Sequence, residues 1–404
     1  MVTFAVSTAV MCGFLGLALD LGYLEYRKRR MQSAADSAAM AAAQEYRRGT
    51  SESSLIAAAQ QDAGANGFTN GQDGVVVTVN HPPTSGPYAG KQRFLAVTVS
   101  QDQPTYFMRL FNFNAATVRA RAGAGMVSSP NCIYVLEKTS DKALQITGNA
   151  GATLQCGVAI DSTNANALVA NGSPTDCLTA TSIGITGGYA PGSCVSPVPQ
   201  TGVPPSGDPL AYLQPPAVGG CDYTNYKLTV GVDTINPGVY CGGITVSGGA
   251  VLTLNGSSTS PYILLGGGFK TTGTPVITGT GVIIYNTFNA TYSYGPIDFG
   301  GTTTIQLSAP TTGAWEGVLF FADRSAPSSV GNRIVGSPGV SFVNGALYFP
   351  TEPLDFRGDS TGLLSQYTGI VARTLNIIGN SSVQSNYSSL APDGSPLKKP
   401  ALTE

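Results

Sequence analysis

Charge is what this 404-residue chain has least of: Asp, Glu, Lys and Arg make up 11% of it, against roughly 25% in an average soluble domain. The 21 cations and 23 anions leave a formal net charge of −2. There is no basic surplus to hold a phosphate backbone, so nucleic acid is not an expected partner. The single histidine, His81, stands beside Pro82 and Pro83, and a surface loop is its expected place. A lone imidazole supports neither a His-based triad nor a multi-His metal site. CxxC pairs, a Gly-rich P-loop and a nucleophile elbow are also missing. The "GGG" at 266–268 does not precede a helical pattern, so it is not read as a phosphate cradle. No metal, cofactor or enzymatic activity is expected.

What is abundant is small, polar and uncharged. Gly occurs 51 times and Pro 26 times, yet apolar residues reach 42%. That is too hydrophobic for a disordered low-complexity chain and leaves material for a large core. Many short apolar runs between Gly, Ser, Thr and Asn point to a mainly β, extracytoplasmic protein. Of seven cysteines, Cys12 lies in an apolar N-terminal run. Cys132, Cys156, Cys177, Cys194, Cys221 and Cys241 fall in one window. An even set in such surroundings reads as disulfides formed in an oxidising compartment, with metal binding the rival. The spacing leaves the connectivity open. Sequential neighbours (132–156, 177–194, 221–241) close the shortest loops and are favoured.

Val2 to Leu19 is apolar or small and long enough for a transmembrane span. A cleaved signal peptide is the rival. Against it stand the missing basic n-region and the absence of a clear cleavage site. From Tyr23 to Arg48 neither Pro nor Gly interrupts the helical pattern. The whole helix would reach roughly 65–70 Å, so its second half would project from a bilayer. Arg27, Lys28, Arg29 and Arg30 place that side in the cytoplasm by the positive-inside rule. The cysteines place it outside and are given the greater weight, with a basic leader expected ahead of Met1. Alanines at four-residue spacing (Ala34, Ala38, Ala42; Ala35, Ala39, Ala43) offer a face for close helix approach, and Ala also simply favours helix. Asp20 reads either as an interfacial end-marker of the span or as a partner for a neighbouring subunit's Arg.

The stretch "ALDLGYLEYRKRRMQSAADSAAMAAA" resembles the N-terminal signature of TadE/TadG-like proteins of tight-adherence (Flp) pilus systems. The matching positions are Asp20, Tyr23, Arg29, Arg30, Met31, Gln32, Ala34, Ala35, Asp36, Ala38 and Ala39. The blocks "NPGVYCGGITVSGGA", "APTTGAWEGVLFFADRS" and "NGALYFP" are similar to exported regions of some TadG-like proteins, less specifically. The resemblance implies an inner-membrane-anchored pilin-like or pilus-assembly protein whose bulk is exported. Its implied partners are the membrane and other pilus subunits, reached through the helix.

Between the helix and the Cys-rich region a small unit is expected. Residues 51–64 read as a short helix with a Ser cap. Residues 75–80 and 94–100 read as strands split by a Pro/Gly-rich loop. "PTYFMRLF" (104–111) reads as a first helical turn opened by Pro, and residues 116–127 as a third strand.

From Asn131 onward three kinds of short segment recur in order. The first kind is 244–246, 269–273, 297–301, 333–337 and 354–358. The second is 251–254, 275–279, 304–308 and 340–345. The third, the most aromatic and aliphatic, is 262–266, 282–286, 318–325 and 346–350. Residues 354–358, 369–374 and 375–380 make up a last partial round, and 144–161 fits the same scheme. Segments too short to bury their own faces, recurring in a fixed order, are the signature of a solenoid. A three-faced parallel β-helix is expected, right-handed as parallel crossovers are, with an antiparallel sandwich as rival. The proline-dense stretch 195–218 is excluded from a central sheet and reads as an extended insert.

The expected domains are residues 1–49 (helix), 50–128 (pilin-like α+β), 129–390 (β-helix with the insert) and 391–404 (tail). β-Helices often host glycan lyases and hydrolases, which need convergent carboxylates. The candidates are Asp298, Asp323, Arg324, Asp355, Arg357 and Asp359. The repeat scheme puts Asp323 on a different face from Asp298 and Asp355, so a corner cap is the preferred role for Asp323 and Arg324. The expected function is therefore structural: a membrane-anchored pilus-assembly protein with a β-helix stalk for contact with surface glycans or proteins. The alternatives are a carbohydrate-active enzyme and a self-assembling filament subunit.

Overall fold

A computed structural model describes residues 2–148, 152–172, 177–335, 342–357, 367–378, 381–383 and 395–404. Asp359 lies outside the described residues. So do parts of the expected segments 144–161, 333–337, 340–345, 354–358, 375–380 and 391–404. The chain is mainly β with a long N-terminal helix and divides into two units, residues 1–127 with 399–404, and residues 128–398.

In the first unit, α1 (Val2–Arg47) is a single helix of 46 residues. It ends where Gly49 takes a left-handed φ of +69° that residues with a side chain resist. Helix α2 (Glu52–Ala65) follows at once. Its N-cap is Ser51, whose side chain accepts from the Ser54 N–H. Strands β1 (Val76–Asn80), β2 (Phe94–Pro104) and β3 (Ala115–Ser128) pair antiparallel, with Val77 opposite Val99 and Val97 opposite Ala122. The strand Lys398–Leu402 is hydrogen-bonded at the β3 edge, so part of the expected tail is a fourth strand. Arg121 forms an ion pair with Glu404 there.

The core of this unit explains the alanines. Met31, Ala34, Ala35, Ala38, Ala39 and Ala42 are fully buried. They pack in one cluster with Leu55, Ala59 and Ala63 of α2 and with Val97, Val99 and Ala122 of the sheet. Small side chains at i, i+3, i+4 and i+7 let a helix lie close to both neighbours. The face that the sequence offers to another subunit is covered within this unit.

Two expectations are corrected here. Among the described residues no helix is long and apolar enough to cross a membrane, so the transmembrane helix is not found. The side chains of residues 2–6, 8–10 and 12 lie outside the described ones, and from Asp20 on, Glu25 and four cations at 27–30 interrupt any apolar window. Residues 104–111 do not form a helix opened by Pro104. Pro104 ends β2, and only Met108–Phe111 form a 3-10 turn.

In the second unit the described strand pairings are parallel, which removes the antiparallel sandwich. Segments of one kind pair with their own kind. A column of buried third-kind residues runs in register through Tyr262, Ile284, Phe320, Leu347 and Ile370. First-kind residues align as Phe299, Ile334, Phe356 and Ile377, and second-kind residues as Leu252, Ile277 and Ile305. The ladders do not end with the chain order. Ile370 pairs with Ile133, which pairs with Val158, and that with Ile183. The strands β-paired at 131–135, 144–148, 157–160, 168–172 and 182–185 thus extend the ladders beyond Thr368–Ile378 rather than ahead of residue 223.

Glycines mark the corners where backbone passes over backbone. A Cβ on Gly267 would lie 2.0 Å from the Gly242 carbonyl oxygen, and one on Gly268 would lie 2.0 Å from that of Pro296. Both residues have φ of +73°, so this GGG is a stacking corner.

The three disulfides join Cys132 to Cys156, Cys177 to Cys194 and Cys221 to Cys241, the sequential pairing. Closing loops of this length contributes about 3 kcal/mol each in the chain-entropy account. The Pro-rich insert is tied down by Arg324, whose guanidinium donates to the carbonyls of Leu210 (2.7 Å) and Leu213 (2.9 Å). Asp161 holds the stretch before them, accepting from the N–H groups of Ser206 and Gly207.

Candidate functional site

The residues that stand out in α1 come together in the first unit as a polar seam. Asp20, Tyr23 and Arg27 recur at i, i+3 and i+7, which puts them on one helix face. Gln101, Gln103 and Thr105 alternate along the end of β2 and its exit, all buried on the side that Val97 and Val99 begin. The two periodicities meet. Arg27 donates to Gln101 Oε1 at 2.7 Å, and the Tyr23 hydroxyl donates to Gln103 Oε1 at 3.1 Å. Gln101 passes the connection on, its amide donating to the Asp73 carbonyl at 2.8 Å.

Asp20 closes the seam. Its carboxylate accepts from the backbone N–H groups of Tyr106 (2.9 Å), Phe107 (2.8 Å) and Met108 (2.7 Å). These amides open the 3-10 turn, where N–H groups have no partner of their own. The carboxylate caps them as an N-cap side chain would, from another element. Burial pushes the Asp20 carboxyl up, but the Met108, Tyr106 and Phe107 donors together outweigh it and hold the group below its ordinary value.

The loop held in this way is apolar and faces out. Leu110 is 80% exposed, Phe111 64% and Phe113 62%. Phe107 lies against Gly16, where an added Cβ would come within 2.5 Å of its ring. On α1, Met11, Phe14, Leu15, Leu19 and Leu21 are exposed as well. Arg109 on the loop and Lys28, Arg29 and Arg30 on the helix are exposed cations beside this surface.

The remaining motif positions have structural partners. Gln32 donates to Asp36 Oδ1 at 2.7 Å and to the Arg121 carbonyl at 3.0 Å, which ties α1 to β3. Ala35 and Ala39 are core residues. Arg30 lies over the end of α2, its Nη2 3.3 Å from where a Gly67 Cβ would stand, a favourable place for a cation at a helix C-terminus. Arg29 is solvent-facing.

Of the acidic candidates of the second unit, Asp298 and Asp355 fall in one ladder column on either side of Arg333, and Asp323 stands apart from them. Asp298 pairs with Arg333 at 2.7 Å, and Asp355 with Arg357 at 3.0 Å. Asp323 accepts from Tyr285 (3.0 Å), Thr287 (2.6 Å) and the Ser325 N–H (2.9 Å), the arrangement of a corner cap. Burial raises the Asp323 carboxyl, but its hydroxyl and N–H donors bring it below the ordinary value. Arg324 donates to the Tyr348 hydroxyl at 2.7 Å. His81, expected in a surface loop, is largely enclosed between Glu52 Oε2 (2.8 Å) and the Gln92 carbonyl (2.7 Å).

Sequence reasoning missed Gln101, Gln103 and the amides of residues 106–108. The strand's alternation was the available signal, since Gln101, Gln103 and Thr105 continue the side that Leu95, Val97 and Val99 start.

No curated protein matches the chain. One family model, that of the Flp pilus-assembly TadE/G-like proteins, matches residues 1–45, which span every α1 residue of the seam and the alanine face. Over residues 1–45, then, the chain is similar to the Flp pilus-assembly TadE/G-like family.

Proposed function

We propose that this is an exported structural protein of the cell envelope that serves pilus assembly in the manner of a minor pilin. Its first unit is a pilin-like head built on α1, and its second is a three-faced parallel β-helix that offers a surface for adhesion. The observation that carries the proposal is the family match over residues 1–45, at the residues that fix the helix to its sheet. Registered ladders of like segments and glycine corners support the β-helix. Three disulfides support an oxidising compartment. Other pilus components are the partners this reading names, and surface glycans or proteins the contacts of the second unit. It assigns no catalysis.

A tag at Val230, 77% exposed, tests it. The tag should be accessible in intact or outer-membrane-permeabilised cells, and crosslinking should recover pilus subunits. A cytosolic product with free thiols at the six cysteines would sink the reading.

A further inference from the structure

A small polar cavity opens in the second unit where the second-kind ladder ends. Thr280 stands beside Ser308, and Ser308 beside Asn344, as successive rungs of that ladder. Rungs of a parallel ladder are about 4.7–4.9 Å apart. Gly345 donates to the Tyr367 carbonyl at 3.1 Å, which brings Tyr367 to the rung that follows. Two hydroxyls, an amide and an aromatic ring thus line one corner in order. The cavity over them has a volume of about 180 Å³.

One wall of the cavity is a loop. Residues 309–317 leave Thr304–Ser308 and fold back toward the preceding rungs. A Cβ on Gly313 would stand 2.7 Å from the Ser258 carbonyl oxygen. Gly317 donates to the Pro310 carbonyl at 2.8 Å and Val318 to that of Trp315 at 3.0 Å, which closes the loop on itself. Thr311 lines the cavity from this side. The floor is Ala309 and Tyr367, 2% and 3% exposed. Wall and floor are in place without a ligand, so binding pays little for ordering them.

The lining narrows the class of ligand. None of the described residues around the cavity carries a charge. A phosphate, a carboxylate or a metal ion would lose hydration there without a counter-charge. The hydroxyls of Thr280, Ser308 and Thr311 make no hydrogen bond to described residues. Each can both donate and accept, and so can the Asn344 amide. A matching ligand carries several neutral groups that also do both, around a body that can lie on Ala309 and the Tyr367 ring. A pyranose has this make-up, with hydroxyls at its rim and C–H groups on its faces. The volume is below the roughly 300–1,000 Å³ of sites for drug-sized ligands, so one ring enters and the rest of a glycan stays outside.

We propose that this corner cavity binds one neutral pyranose unit of a surface glycan, with Thr280, Ser308, Thr311 and Asn344 bonding its hydroxyls. The proposal rests on the reading of the second unit as a contact surface for glycans, and it gives that contact a place.

The test is saturation-transfer-difference NMR on the full chain. The probes are methyl glycosides of glucose, galactose, mannose and N-acetylglucosamine, with galacturonate and N-acetylneuraminate as acidic counterparts. At least one neutral glycoside should receive saturation at its ring protons, and the acidic sugars should not. Thr311→Trp lays an indole across the opening and should abolish the signal. Thr280→Ala with Ser308→Ala should weaken binding roughly tenfold or more. Thr272→Trp, exposed on the first-kind ladder, should bind as the parent does. All three should keep the circular dichroism and melting of the parent. A glycoside that binds the cavity variants as well as the parent would overturn the proposal and leave the glycan contact standing elsewhere on the second unit. Equal signals from the acidic sugars would overturn the neutral class. No signal from any glycoside would overturn the site, and a chain that also bound nothing on a glycan array would lose the glycan contact with it.

Discussion

At the scale of the residue, two carboxyls are placed against opposite backgrounds. Asp20 meets three N–H donors and stays ionised. Replacing it by Ala removes the acceptor of these three amides. The expected outcome is faster hydrogen exchange at Tyr106, Phe107 and Met108 with the α2 amides unchanged; equal protection in both proteins would show that the clamp does not hold the loop. Glu352 is fully buried in the second unit. Its Oε2 accepts from Tyr294 at 2.9 Å, while Oε1 has no partner. Burial pushes its carboxyl up to about 7, against the smaller opposing effect of the Tyr294 and Asn332 side chains. A raised carboxyl binds its proton more tightly folded than unfolded. Its cost is therefore absent below the unfolded value near 4.5 and grows as pH rises through about 7. The loss is on the order of 3 kcal/mol. Glu352→Gln should flatten the fall in urea midpoint between pH 5 and pH 8 and be the more stable protein at pH 8. An unchanged slope would remove the group from the pH response.

At the scale of the element, the helix and the strands differ in how much of them can be read from sequence. Helix α2, its Ser51 cap and strands β1 to β3 follow from local pattern, and so do the three kinds of repeat segment, because each is written in a few neighbouring residues. The use of α1 was not legible in the same way. An alanine face is the same in a sequence whether it meets a partner subunit or its own sheet. The structure places it against α2, Val97 and Ala122. Likewise "KKPAL" (398–402) reads as a polar tail, since nothing within it names β3 as its neighbour. The internal packing makes a prediction. Ala38→Leu adds a branched chain where exposure is 0% and should destabilise the first unit by about 1–3 kcal/mol. Ser33→Ala on the exposed side should stay within about 0.5 kcal/mol of the parent. Denaturant midpoints of the two variants measure this; a neutral Ala38→Leu would mean the alanine face is not packed in solution.

At the scale of the whole second unit, what local pattern cannot encode is the order of the ladders. The repeat reading puts residues 144–161 upstream of the round that starts at 244, and the pairing puts them next to Thr368–Ile378 instead. Arg373 and Glu137 form an ion pair at 2.7 Å across 236 residues of sequence. Periodicity tells which segments are alike, and like segments can stack in more than one order. Only long-range contact decides between the orders, and such contacts carry the largest loop-closure cost in folding. The consequence can be tested by truncation. A chain ending at residue 357 loses Thr368–Ile378 and with it the partner of Asn131–Val135 and Leu144–Gly148, although these lie more than 200 residues upstream. A chain ending at residue 383 keeps that partner and still lacks Lys398–Leu402, so it controls for the missing C-terminal strand. Hydrogen exchange should find residues 131–148 unprotected in the shorter chain and protected in the longer. Residues 238–308 should be protected in both, because in a stacked array each round depends chiefly on its neighbours. Equal protection of 131–148 in the two chains would mean that those strands pair in chain order, and the ladder order described here would fall.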